Sequence, residues 1–120
     1  MKARDYGRMA EESAAALLAG LGYRLVVRNY RCRVGEIDLI AWDGGVLVFV
    51  EVKARRQGRQ GEAVEAIDRR KLRRLRTVAG HYLSCHFRGP EPPCRFDAVI
   101  RGPGSAVAGG GSMVLLRGVG

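Results

Sequence analysis

The pattern of apolar and polar positions is organised around residues 35–53, GEIDLIAWDGGVLVFVEVK, where two apolar runs are bounded by charged residues. Two runs of β-formers, residues 37–42 and 46–52, flank Asp43-Gly44-Gly45, and a short glycine-rich break between such runs predicts a hairpin. With Gly44-Gly45 as a two-residue loop, Asp38 falls opposite Glu51 and Glu36 opposite Lys53, and period-two alternation puts all four on one face. That face continues as Ile40, Trp42, Leu47 and Phe49, while the other carries Ile37, Leu39, Ala41, Val48, Val50 and Val52. The expected strand pair is apolar on both faces except at one end, where carboxylates and a lysine meet. A slip of one residue would separate them, so the register is itself an expectation.

Around this hairpin the pattern changes period. In residues 8–21, Glu11, Ala14, Ala15, Leu18 and Leu21 recur at spacings of three and four, which predicts a helix ended by Gly20 and Gly22. Glu11 shares that stripe and either points inward or sits at its rim. Glu12 competes for the same role from one position round the helix, and a first-turn acid complementing the helix dipole is the plainer alternative. Residues 23–30 read as a strand leading through Arg31-Cys32-Arg33 into the hairpin. After Lys53, ARRQGRQGE is polar and glycine-containing, hence a loop. A second helix, capped by Asp68 and running to about Ser84, puts Lys71, Leu75, Val78, Ala79 and Tyr82 on one face. RFDAVI, residues 95–100, is a further strand with Asp97 among apolar neighbours. Residues 102–112 form a glycine-rich loop without period, and residues 113–117 make a last edge strand.

Composition narrows the class. A chain of 120 residues with 47% apolar content suits one independent domain. No apolar run reaches membrane-spanning length, and the N-terminus has acids where a signal peptide needs an apolar centre. The cytoplasm is therefore the default location. Cys32, Cys85 and Cys94 are too few and odd in number for a disulfide framework. His81, Cys85, His86 and Cys94 invite a zinc reading, but their spacing is not that of a zinc site and packing explains them more cheaply.

Charge adds the partner. Against 12 acids stand 21 basic residues, a net charge of +9, which favours polyanions. Only Lys2, Lys53 and Lys71 are lysines, so position 53 keeps a compact ammonium, whose pKa can shift, in a chain that otherwise takes arginine. Residues 55–76 hold nine basic residues and three acids, including Arg55, Arg56, Arg59, Arg69, Arg70, Lys71, Arg73 and Arg74. Crowded arginines repel one another unless an anion arrives, so phosphate contact is their expected use; a solvated helix face is the alternative. Arg31 and Arg33 could line the same groove, as could Arg24 and Arg28, or all could be solvated edges.

Phosphodiester hydrolysis needs an activated water and stabilised charge on the phosphate, and hard divalent ions supply both. Asp38, Glu51 and the Val52 carbonyl offer oxygen ligands of the kind Mg2+ or Mn2+ takes, and Lys53 lies two residues on along the same face. Glu11 would complete the acidic wall. A carboxylate–x–lysine strand is common by itself, and a salt-bridged sheet rim usually explains it. Here it is combined with an upstream acid, a hairpin and a cationic helix.

The segments RNYRCRVGEIDLIAW and LVFVEVKARR, the helix with Lys71 and Tyr82, and RFDAVI resemble the YraN-like family of small bacterial proteins. That family is assigned to the PD-(D/E)XK nuclease superfamily, close to archaeal Holliday junction resolvases. The resemblance implies an α/β restriction-endonuclease-like core, a central mixed sheet flanked by helices in the order α-β-β-β-α-β. It implies Asp38 as the motif acid, Glu51 and Lys53 as the (D/E)XK pair, and Glu11 as the helix acid. Ile37 stands where the name-giving proline would be, Ala10 where a glycine is usual, and the QxxxY element of the exonuclease branch is not evident. Two functions stay open: a magnesium-dependent endonuclease acting on DNA, branched DNA included, for which a homodimer would suit paired cuts; and a nucleic-acid-binding adaptor that keeps the fold without the cleavage. Docking on structured RNA is a third, weaker reading.

Overall fold

The computed structural model describes residues 3–54, 69–101 and 113–119, in seven elements. These are α1 (Ala3–Gly20), β1 (Arg24–Cys32), β2 (Gly35–Asp43), β3 (Val46–Ala54), α2 (Arg69–His86), β4 (Cys94–Arg101) and β5 (Met113–Leu116). The expected loop over residues 54–62, with Arg55, Arg56 and Arg59, lies outside the described side chains, as do the Asp68 cap and the glycine-rich loop over residues 102–112. The expected order α-β-β-β-α-β is present, followed by β5.

The central hairpin has the turn its sequence demands. Asp43 pairs with Val46, and Gly44 adopts φ 60°, the left-handed value a tight two-residue hairpin turn requires of its first residue. A second tight hairpin joins β1 to β2, with Cys32 opposite Gly35 across Arg33-Val34. That pair carries no Asn-Gly or Asp-Gly signal, so the sequence showed only a connection there. All five strands form one sheet in chain order; β3 and β4 run parallel and the other neighbours antiparallel. A parallel pair needs a crossover, and α2 lies in it.

One helix covers each face. Ala14, Ala15 and Leu18 of α1 pack on Leu39, Ala41, Val48, Val50 and Val99, and on the other side Leu75, Val78, Ala79, Tyr82 and Leu83 of α2 pack on Ile40, Leu47 and Phe49. The alternation read from the hairpin thus sorts side chains between the two layers, with two exceptions. Leu21, expected on the buried stripe of α1, is exposed because the helix ends at Gly20. Ile37, expected beside Leu39, packs in the α2 layer instead.

The displacement of Ile37 has a local cause. Pairing between β2 and β3 runs from Asp43–Val46 to Leu39–Val50 and ends there, so the expected Asp38–Glu51 and Glu36–Lys53 pairs do not form. The Val52 N–H donates to Asp38 Oδ2 at 2.8 Å, a side chain taking the bond a ladder carbonyl would have accepted. Once β2 leaves the ladder, strict alternation no longer binds it. Gly35 allows the same end of the hairpin to press against α2: a Cβ there would stand 2.9 Å from Val78 Cγ2.

At the opposite end of the sheet a buried polar cluster ties late elements to early ones. Asp97, fully buried, accepts from Tyr23 OH, from Arg95 and from the Gly118 N–H, and Arg95 also bridges to Asp43 at 2.8 Å. Every oxygen of this buried acid is used, which is the condition for burying a charge.

Candidate active-site cleft

Where β2 parts from β3, the sheet opens into a cleft of about 590 Å³ lined by Asp38, Glu51, Val52, Lys53, Lys71 and Arg74, with Arg31 and Glu36 at its mouth. Asp38, Glu51 and Lys53, expected together from the register, do meet here, through the splayed strand ends and not through a direct cross-strand pair. Glu51 arrives there as an inward residue of β3, buried to 8% exposure. Lys71 reaches it from the first turn of α2, with Nζ 2.7 Å from Glu51 Oε1.

Glu12 is exposed, whereas Glu11 faces the sheet and meets Asp38 from the α1 side. Its carboxylate is held by a residue the sequence reading passed over: with the Asn29 amide turned to donate, Nδ2 is 3.0 Å from both Glu11 oxygens.

The charges in the cleft act on one another. Burial first, and the neighbouring Glu51 charge second, push the Asp38 carboxyl up to about 7, with Glu11 adding to the rise and the Val52 hydrogen bond opposing it. Burial pulls the Lys53 ammonium down, and the adjoining Lys71 pulls it further. For Lys71 burial is the largest single effect and works in the same sense, but the bond to Glu51, the contact with Lys53 and the charges of Glu51 and Asp38 together outweigh it and raise its hold on the proton. The two amines are thus shifted in opposite directions, Lys53 toward the neutral form and Lys71 away from it.

Among the described residues no three His, Cys, Asp or Glu side chains converge as a ligand set. A cation in the cleft would therefore rest on two carboxylates, Asp38 and Glu51, with the Val52 carbonyl and water. That hard-oxygen, water-rich set is the kind magnesium accepts, and two mutually repelling acids fit a divalent ion. The zinc reading of the histidines and cysteines finds no such fit. His81 Nδ1 is hydrogen-bonded to Tyr30 OH at 2.8 Å, His86 Nδ1 donates to the Tyr82 carbonyl, and Cys94 Sγ donates to the Pro92 carbonyl.

The expected polyanion contacts divide. Arg31 and Arg74 stand at the cleft, and Arg31 pairs with Glu36 at 3.3 Å on an exposed rim. Arg33 sits exposed in the β1–β2 turn, and Arg70 is exposed on α2. Arg69 and Arg73 line a separate shallow groove of about 360 Å³ along that helix. Lys71, grouped with these from sequence, lies in the cleft against Glu51. Its position on the apolar stripe with Leu75 and Val78 was the signal that it points inward.

A mixed five-stranded sheet between two helices, opened at one end into a polar cleft of two acids and two lysines, defines an α/β protein. The chain belongs to the family described as Uncharacterised protein family UPF0102, the YraN-like group, whose model matches residues 10–100. It is 52% identical over 101 residues to a UPF0102 protein of Symbiobacterium thermophilum, covering 84% of this chain and 85% of that one. A UPF0102 protein of Nitrosospira multiformis is 50% identical over 100 residues, covering 83% and 82% of the two chains. One of Nitrosococcus oceani is 49% identical over 96 residues, covering 80% and 77%. The matched region contains every element that shapes the cleft.

Proposed function

We propose that the protein is a metal-dependent, PD-(D/E)XK-type endonuclease that hydrolyses phosphodiester bonds of DNA, branched or junction DNA included. The observation that carries this reading is the pair of acids, Asp38 and Glu51, held in one cleft beside Lys53. Burial, and after it the Glu51 charge, raise Asp38 to about 7, so the cleft is electrostatically costly until a cation enters. Mg2+ is the proposed cofactor, with Mn2+ as a substitute, held by Asp38, Glu51 and the Val52 carbonyl. A divalent ion there supplies charge stabilisation for the phosphate and makes nearby water more acidic.

The remaining work falls to side chains. Lys53, whose burial and cationic neighbour favour the neutral amine, accepts the proton of the attacking water. Lys71, which pairs with Glu51 in the metal-free cleft, is released when a cation takes that acid and offsets charge on the phosphate. Arg31, Arg33, Arg55, Arg56, Arg59, Arg69, Arg70, Arg73 and Arg74 bind the nucleic-acid backbone, which gives affinity without base specificity. Cutting a junction symmetrically would use a homodimer, and a cytoplasmic location would give access to DNA.

The alternative, a binding or adaptor protein with little cleavage, is favoured by the Lys71–Glu51 ion pair, which lets the chain neutralise one of its own acids. Incubation with supercoiled, linear and four-way-junction DNA, with and without Mg2+ or Mn2+, separates the two. Metal-dependent cleavage that disappears in Asp38→Asn and Lys53→Ala while binding persists is the expected result. Binding unaffected by chelator, without cleavage in any metal, selects the adaptor.

A further inference from the structure

Asn29 is the one non-glycine residue with positive φ among the described residues, at 54°, and it lies inside β1, where extended backbone is the rule. Asparagine visits the left-handed region more readily than other non-glycine residues, yet it does so at a cost. Strain of this kind persists where the surroundings over-determine it, and at functional sites above all.

Asn29 is exposed, on the strand next to the one that carries the cleft acid. It falls opposite Asp38, between the Arg28–Leu39 and Tyr30–Ile37 pairs. Asp38 in turn gives its carboxylate to the Val52 N–H on the next strand. A single row crossing β1, β2 and β3 therefore departs from regular strand geometry, and that row carries the acid. Left-handed backbone also swings a side chain away from the direction an extended residue would give it. At Asn29 the new direction brings Nδ2 within 3.0 Å of both oxygens of Glu11, which reaches the same point from α1 and faces Asp38.

We infer that Asn29 is a positioning residue for the acidic cleft: its amide pins the Glu11 carboxylate beside Asp38, and its left-handed backbone is the conformation that aims the amide. The inference deepens the reading of the cleft as a cation site and rests on it. An amide suits the task because it donates to a carboxylate without bringing a charge of its own. Arginine or lysine at this point would neutralise the acidic wall, and aspartate would repel Glu11.

The test compares the full-length wild type with Asn29→Gly, Glu11→Gln and the double variant. Glycine keeps the left-handed backbone accessible and removes only the amide, so the fold is retained. The probe is Mn2+ alone, titrated by electron paramagnetic resonance, and melting temperatures are taken on the same metal-free samples. Asn29→Gly is expected to weaken Mn2+ binding about tenfold. The double variant is expected to bind no more weakly than Glu11→Gln, because the amide acts only through that carboxylate, and the two melting shifts are expected not to add. Equal Mn2+ affinity in wild type and Asn29→Gly, or additive losses in the double variant, overturns the inference. A wild type that binds no Mn2+ overturns the cation-site reading instead. Asn29 is then decided by melting alone, where non-additive shifts sustain its hold on Glu11 and additive shifts end it.

Discussion

Asp38 does two incompatible jobs in the metal-free protein. It accepts the Val52 N–H, which favours its charge, and it sits buried near two other acids, which disfavours it. The second effect wins and lifts the carboxyl from 3.8 to about 7. An acid whose folded pKa lies above its unfolded one favours folding in its protonated form, so its stabilisation is complete at low pH and is lost as pH rises toward and through 7. Metal-free wild type should thus be less stable at pH 8 than at pH 5, by about 2–3 kcal/mol, since the unfolded carboxyl has already lost its proton at pH 5. Asp38→Asn should melt above wild type at pH 8, with the gap closing toward pH 5, as thermal denaturation in chelator would read. Asp97 works in the opposite sense. Burial opposes its charge, but Arg95, the Gly118 N–H and Tyr23 outweigh that and hold it below the usual carboxylate range, so its contribution is lost only in strong acid. Asp97→Ala takes the acceptor from the Tyr23 hydroxyl and the Gly118 N–H and leaves Arg95 with Asp43 as its acid, which should cost about 1–3 kcal/mol in urea unfolding.

At the scale of elements, the β1–β2 hairpin can approach α2 only because Gly35 has no side chain. Its φ is 147°, and a Cβ would press on Val78, a fully buried β-branched residue with nowhere to go. Gly35→Ala should cost about 1–3 kcal/mol by overpacking and shift the cleft wall that Gly35 lines. The same region marks the limit of what the sequence discloses. Alternating β-formers around Asp43-Gly44-Gly45 carry the turn, the register up to Leu39–Val50 and the sorting of Leu39, Ala41, Val48 and Val50 from Leu47 and Phe49. Periodicity has no means of showing where a ladder stops, because the bond from the Val52 N–H to the Asp38 side chain depends on tertiary geometry. Ile37 is misplaced for that reason. Asn29 was hidden for another: neither its identity nor its neighbours in RNYRC mark a left-handed residue within a strand, and its partner Glu11 is distant in sequence. Lys71, by contrast, was legible in its stripe, and only its partner was not.

Over the whole molecule, the two helices seal the sheet's faces and leave its chemistry at one end, with the cationic side of α2 running away from the cleft. With a net charge of +9 over the chain, the DNA binding proposed for it should be strongly salt-dependent. In a plot of log affinity against log salt, Arg73→Ala should flatten the slope by about 1 if that side chain meets one phosphate. None of the described helices is long and apolar enough to cross a membrane. The described residues thus present a polar cleft and, on α2, a basic surface, and the function proposed for the protein stands on a cation being held between Asp38 and Glu51. Crystals soaked in Mn2+ and measured at a wavelength where manganese scatters anomalously test that directly. The expected result is one anomalous peak within about 2.0–2.3 Å of a carboxylate oxygen from each residue, with Lys71 moved off Glu51. A cleft that shows no peak, with the Lys71–Glu51 contact intact at saturating Mn2+, would contradict it.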